Sequence, residues 1–292
     1  MGYLAAFAVV FLMIISVYCF GYITKQATLL YLILLETAIG LIILLPMMVI
    51  VDDITFTQIF TIPTKENWLW LSAASIFGFV LGNYFSLMHV HNAGEKINSL
   101  LSPAITALTI ALSFFVLKEK LTTLQWIGIL ITISSIGYFL LKQSGVKNIK
   151  SIKKNIFSGL TTIVCISLTI ISTIKGVGKL PFLLAIWLRL FVAFVIILAL
   201  YISKKDWHNY KPTTALFYPV VILSVLLQTI AAAYLWLYAS FHISMAVFQI
   251  IIATFPLFTY AVDVYLLKKS TPSFSFLLAA CIAGVGVVLA IL

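Results

Sequence analysis

Two charged side chains, Glu36 and Arg189, stand within long apolar stretches of the chain. A charge near the centre of a bilayer costs about 2.5–3.5 kcal/mol on insertion scales, so such residues turn inward to a partner or a wet cavity. A carboxylate there can hold an ammonium group or carry a proton, and a guanidinium can grip a carboxylate through paired hydrogen bonds. The two residues therefore point to recognition of a small solute bearing both charges. The competing reading is a buried ion pair that pins two parts of the fold together.

Asn83 and Tyr84 on one stretch and Tyr234 and Trp236 on another add a polar tip and aromatic walls, which suit a largely apolar organic solute. They join Glu36 and Arg189 as candidate binding residues. Aromatics make up 14% of the chain, so interface belts also account for many of them. Gln228 and Gln249 read most simply as hydrogen-bonding groups between helices. His89, His91, Glu95 and Asp263 are candidates for coupling or gating, because histidine titrates near neutral pH and intramembrane carboxylates relay protons. His89 and His91 lie two apart and do not face one another on a helix, which argues against a metal site. Glu95 also complements a helix N-terminus, and Asp263 an interfacial position near Lys268 and Lys269. No phosphate-binding loop, paired catalytic carboxylates or zinc-protease motif is present, so neither enzymatic turnover nor a cofactor is expected.

The elements that must position these groups follow from composition. Of 292 residues, 63% are hydrophobic and 9% charged, a balance that belongs in lipid. A crossing needs about 20 apolar residues. Spans are expected at approximately 3–22, 27–49, 68–89, 96–117, 123–141, 156–174, 181–202, 215–238, 244–267 and 273–291. Little chain remains for an extramembrane catalytic or nucleic-acid-binding domain. The first stretch reads as a retained span rather than a signal peptide, having no basic leader. Thr122 with Gln125 forms a capping box, and Thr271 followed by Pro272 marks another helix start. Cys19, Cys165 and Cys281 read as small packing residues. Gly78-x-x-x-Gly82 with Ala74 reads as a close-packing stripe.

The chain repeats itself weakly. A shift of 150 sets Tyr84-Phe85-Ser86-Leu87 against Tyr234-Leu235-Trp236-Leu237, and a shift of 153 sets Glu36 against Arg189 and Pro103 against Pro256. The lysine-rich interval from Lys142 to Asn155 divides the halves, residues 1–146 and 147–292. Five spans per half invert the second half relative to the first, the arrangement of many secondary transporters with a midplane site. The expected fold is an all-α integral membrane protein of ten transmembrane helices in two inverted five-helix repeats.

Lys25, Asn92-x-x-Glu95, Ser99-x-x-x-Pro103, Leu117-Lys118-Glu119-Lys120-Leu121 and Gln125-x-x-Gly128 resemble the EamA-type branch of the drug/metabolite transporter superfamily. The second half echoes this in Pro256, Leu267-Lys268-Lys269, Gly284 and Gly286. The resemblance implies ten helices, two inverted repeats and solute movement by alternating access. Family members often carry Arg in the second span. Here Glu36 takes that place, while Lys175, Pro181 and Arg189 keep the layout in the second half, so no member's substrate transfers directly.

The expected activity is secondary transport of a small organic metabolite, an amino acid or related zwitterion favoured, in the inner (cytoplasmic) membrane. An aromatic or hydrophobic cation, a nucleobase-like solute or a lipid-linked headgroup is the alternative cargo, and a non-transporting scaffold is the alternative class. The expected partners are the solute and the bilayer, with a proton or counter-solute as the coupling choice and no nucleic acid. Monomer and homodimer stay open. Odd-numbered loops hold most of the lysines, among them Lys142, Lys147, Lys150, Lys153, Lys154, Lys204, Lys205 and Lys211. Even loops hold Lys65, Lys118, Lys120, Lys175 and Lys179. Positive charge thus places the odd loops in the cytoplasm, whereas the resemblance implies termini inside.

Overall fold

The computed structural model describes residues 1–24, 26–86, 101–144, 152–204, 214–268 and 274–292. Within them the backbone is helical and no strand occurs. Segments apolar on all sides leave no water-facing stripe, and a helix satisfies its own N–H and C=O groups in hydrocarbon. We label the segments α1 (Gly2–Ile23), α2 (Leu29–Val51), α3 (Lys65–Ser86), α4 (Leu101–Leu117), α5 (Thr123–Ser144), α6 (Ile152–Val177), α7 (Phe182–Lys204), α8 (Phe217–His242), α9 (Met245–Leu266) and α10 (Phe274–Ile291). Eight of them are long and apolar enough to cross a membrane. The apolar parts of α4 and α5, Leu101–Leu117 and Thr123–Tyr138, are shorter. Among the described residues, length and composition thus support eight spans, and the full ten expected are not shown. In α4 the expected span begins at 96, outside the described residues. In α5 the side chains after 138 are likewise outside the described set.

Local sequence explains several helix ends. The Thr122–Gln125 capping box forms as expected, with Gln125 N–H donating to Thr122 Oγ1 (3.2 Å) and Thr122 N–H to Gln125 Oε1 (3.0 Å). Thr64 and Asn67 make a second such box at the start of α3. Inside the spans, hydroxyls are satisfied by their own helix: Ser16, Thr37, Ser75 and Thr169 each donate to the carbonyl four residues earlier. The Thr271–Pro272 start and the boundary between the halves fall outside the described residues.

Repetition shows in irregularities as well as in helices. π-helical stretches interrupt α3 at Ile76–Gly82 and α8 at Val225–Ala232, and α4 at Ser113–Leu117 and α9 at Val262–Leu266. Each pair lies about 150 residues apart. Lys118 and Lys268, also 150 apart, both take left-handed φ, 57° and 52°, where the chain leaves α4 and α9.

Packing obeys the same exchange of halves. α3 packs on α6 and α8 on α1; α4 packs on α6 and α9 on α1. α2 with α7, α4 with α9 and α5 with α10 each join equivalent helices. α2 and α7 run antiparallel: Tyr31 near the start of α2 meets Tyr201 near the end of α7, and Gly40 faces Leu190 midway. Close approach of α5 and α10 needs glycine, because a Cβ on Gly128 would sit 2.7 Å from the Ala290 nitrogen and one on Gly286 2.8 Å from the Gly128 oxygen. The Gly78–Gly82 stripe is likewise consumed within the chain, facing Thr169 and Ile166 of α6. Of the cysteines, Cys165 is buried and Cys19 half-buried. Cys281 is exposed, contrary to the packing role expected for it, because it lies on the side of α10 away from the buried Ala279 and Ala283.

Candidate functional site

One cavity of about 450 Å³ opens between the halves, within the usual range for small-molecule sites. Its wall takes Phe20 from α1 and Thr24 just past its end, Ile33 and Glu36 from α2, and Gly78, Phe79 and Asn83 from α3. The other half supplies Ile166 and Thr169 from α6, Ile186 and Arg189 from α7, and Gln228, Thr229 and Ala233 from α8. The correspondence is close to residue by residue. Gly78, Phe79 and Asn83 become Gln228, Thr229 and Ala233 on adding 150, and Ile33 and Glu36 become Ile186 and Arg189 on adding 153. The π-helical stretches of α3 and α8 carry four of these residues into the wall, a frequent placement for such bulges at functional sites.

Glu36 and Arg189 both line this cavity and are half-buried. No ion pair joins them among the described residues. Their levels explain why. With Tyr31 opposite Tyr201 and Gly40 opposite Leu190, the two charges are offset by five to seven residues along the helix axes, about 9 Å at 1.5 Å per residue. An acid and a base thus face one chamber at different heights.

Each charge is braced by the opposite half, in equivalent places but with different chemistry. Thr229 Oγ1 donates to Glu36 Oε1 at 2.7 Å. At the equivalent contact the Arg189 guanidinium lies over the Phe79 ring, 5.8 Å from its centroid. Ser75 Oγ donates to the Arg189 carbonyl oxygen (2.8 Å), which ties α3 to α7 beside the site. Arg189 Nε and Gln228 Oε1 are buried and lack hydrogen-bond partners among the described residues.

The remaining sequence candidates are distributed as follows. Asn83 lines the cavity. Tyr84, Tyr234 and Trp236 are not among its lining residues. Tyr84 is 46% exposed with its ring against Phe85, Tyr234 packs on Phe182, and Trp236 on Phe248. Helix phase separates Tyr84 and Tyr234 from the wall: Asn83 and Ala233 face inward, and the next residue turns by about 100°. Asp263 accepts from the Tyr18 hydroxyl at 2.9 Å, joining α9 to α1 outside the cavity wall. His89, His91, Glu95 and Lys25 lie outside the described residues. Gln249 is buried and donates to Met245 Sδ, an interhelical role being replaced by one within α9. Among the described residues no group of acids, histidines and cysteines is placed to hold a metal ion.

Sequence reasoning missed Gln228, Thr229 and Phe79 as wall residues. The signal was available in the repeat itself, since a shift of 150 sets Gln228 and Thr229 against Gly78 and Phe79, about one turn before Asn83.

The EamA-like transporter family model matches residues 1–141 and again 153–292. A solved structure described as "Crystal structure of protein" superposes with a TM-score of 0.78, covering 99% of this chain and 96% of that one. The two are 13% identical, so the likeness is one of fold. No curated protein matches the chain.

Proposed function

The chain belongs to the EamA-like transporter family and is a multi-pass membrane transporter; from that premise we propose that its solute is a small zwitterion, an amino acid or close relative. The carrying observation is that Glu36 and Arg189 line one cavity without pairing to each other. A buried ion pair serving only to hold the halves would close that gap. Here the axial offset of about 9 Å suits an ammonium and a carboxylate a few ångströms apart, with a charge-assisted hydrogen bond of about 2.8 Å at each end.

Transport proceeds by exposing the cavity alternately to the two sides as the repeats rock about it. The solute's two charges replace the water that otherwise satisfies Glu36 and Arg189. Recognition and compensation of both buried charges are therefore one event. A proton on Glu36 in the empty carrier is the simplest coupling, because it removes one bare charge while the cavity reorients. The membrane is the inner (cytoplasmic) one. An aromatic cation fits less well, since the Phe79 face is already occupied by Arg189.

Uptake into proteoliposomes preloaded with one amino acid tests the reading. Saturable exchange of zwitterions, lost in Glu36→Gln and in Arg189→Met, is expected. Exchange of aromatic cations but not zwitterions by the folded wild-type protein would overturn it.

A further inference from the structure

We infer that Gln228 and Thr229 of α8 form, together with Glu36, a seat that selects a solute ammonium still carrying N–H donors. The inference rests on the zwitterion reading and narrows its solute class. Thr229 has one hydroxyl proton and gives it to Glu36 Oε1. That fixes one oxygen of the carboxylate and aims the rest of its acceptor capacity into the cavity. Its neighbour Gln228 also lines the cavity, and its carbonyl oxygen is buried with no donor among the described residues. Leaving such an acceptor unpaired is costly, so the geometry calls for a donor from the solute.

Two acceptors thus stand on adjacent residues, one directly and one through the bonded carboxylate. A protonated amine brings up to three N–H donors to such a seat. A trimethylated ammonium brings none and is held instead by an aromatic cage. The wall offers no free cage: its rings are Phe20 and Phe79, and the latter lies under the guanidinium.

The seat is also what gives the cavity polarity. At the equivalent places the first half has Gly78 and Phe79, with no acceptor side chain, beside Arg189 with its free Nε. Gln228 and Thr229 therefore act at the cationic end alone. Thr229 is a positioning residue for Glu36, and Gln228 contacts the solute.

The test is binding to the purified full-length protein in detergent by titration calorimetry. The probes are glycine, leucine and phenylalanine, each against its N,N,N-trimethyl form. For whichever amino acid binds, the free-amine form should bind at least tenfold tighter than its trimethyl counterpart. In Gln228→Leu and Thr229→Val the ratio should fall to threefold or less, while Thr229→Ser keeps the wild-type ratio. Should Gln228→Leu fail to fold, Gln228→Met takes its place, and the wild-type comparison needs no variant at all. Equal wild-type affinity for the two forms, or an unchanged ratio in both variants, overturns the seat and leaves the zwitterion reading intact. Binding of neither form of any probe overturns both.

Discussion

On the proposed function, Glu36 and Arg189 are the residues on which recognition turns, each meeting solute through a hydrogen bond that exists only when solute is bound. A charge-assisted bond of this kind contributes about 1.5–3 kcal/mol, which is roughly tenfold to a hundredfold in affinity. Glu36→Gln should therefore weaken zwitterion binding by that factor while leaving helical content and thermal stability near wild type. Arg189→Lys keeps the charge but loses the planar fork and the stacking on Phe79, so it should behave almost as badly as Arg189→Met. Calorimetric titration beside circular dichroism checks both, and unfolding of either variant would return the pair to a purely architectural role. These two residues were legible in the sequence because a charge within a span demands an explanation. The positions of Tyr84 and Tyr234 were not, because one step along a helix moves a side chain off the wall, and Trp236 packs on Phe248 instead. Gln228 and Thr229 were hidden by the many ordinary partners that amides and hydroxyls find between helices.

Helices carry their own tests. α5 and α10 touch backbone to backbone at Gly128 and Gly286, so an added methyl at either must push the pair apart. Gly128→Ala and Gly286→Ala should each cost about 1–3 kcal/mol in a reversible unfolding measurement. Gly137→Ala and Gly284→Ala provide the contrast: a Cβ there meets open space, and alanine gains up to about 1 kcal/mol of helix preference. Asp52 ends α2, where the helix dipole already disfavours an anion. Burial and the neighbouring Asp53 lift its carboxyl above the ordinary aspartate range. A folded-state pKa above the unfolded one means that ionisation opposes folding, so this residue's contribution worsens as pH rises through those values. Asp52→Asn should accordingly raise Tm at pH 7.5, and the gain should vanish in acid, below the ordinary aspartate pKa of about 3.9. Glu119 ties the two halves in another way, its carboxylate accepting from the Met245 N–H at the start of α9. Helix existence and the Thr122 cap were readable from apolar length and capping residues. The π-helical stretches were not, because Val225–Ala232 has the composition of the surrounding helix and the glycines of Ile76–Gly82 read equally well as a packing stripe.

At the scale of the whole molecule, the two halves are not side-by-side domains but interleaved sets of helices. α3 on α6 and α1 on α8 repeat one contact twice, and α2 on α7 closes the centre. That arrangement makes a cavity whose walls come equally from both halves, and it turns the acid and base at the equivalent positions 36 and 189 into an opposition of charge across one chamber. The repeat was visible in the sequence as a few aligned residues; the interleaving was not, because no periodicity records which helix packs on which. The lining reaches Thr24, exposed where α1 ends and α2 is about to begin, which is the face of the lysine-rich odd loops. The central claim is that one watery chamber is shared by equivalent positions of the two halves and filled by one solute. Single cysteines at Ile33 and Ile186, in a chain with Cys19, Cys165 and Cys281 replaced by alanine, test it most directly. Their reaction with a small hydrophilic thiol reagent is measured with and without an amino acid of the proposed class. Both cysteines should react, and the same solute concentration should protect both. Reaction at neither position, or protection at one alone, would contradict a shared chamber.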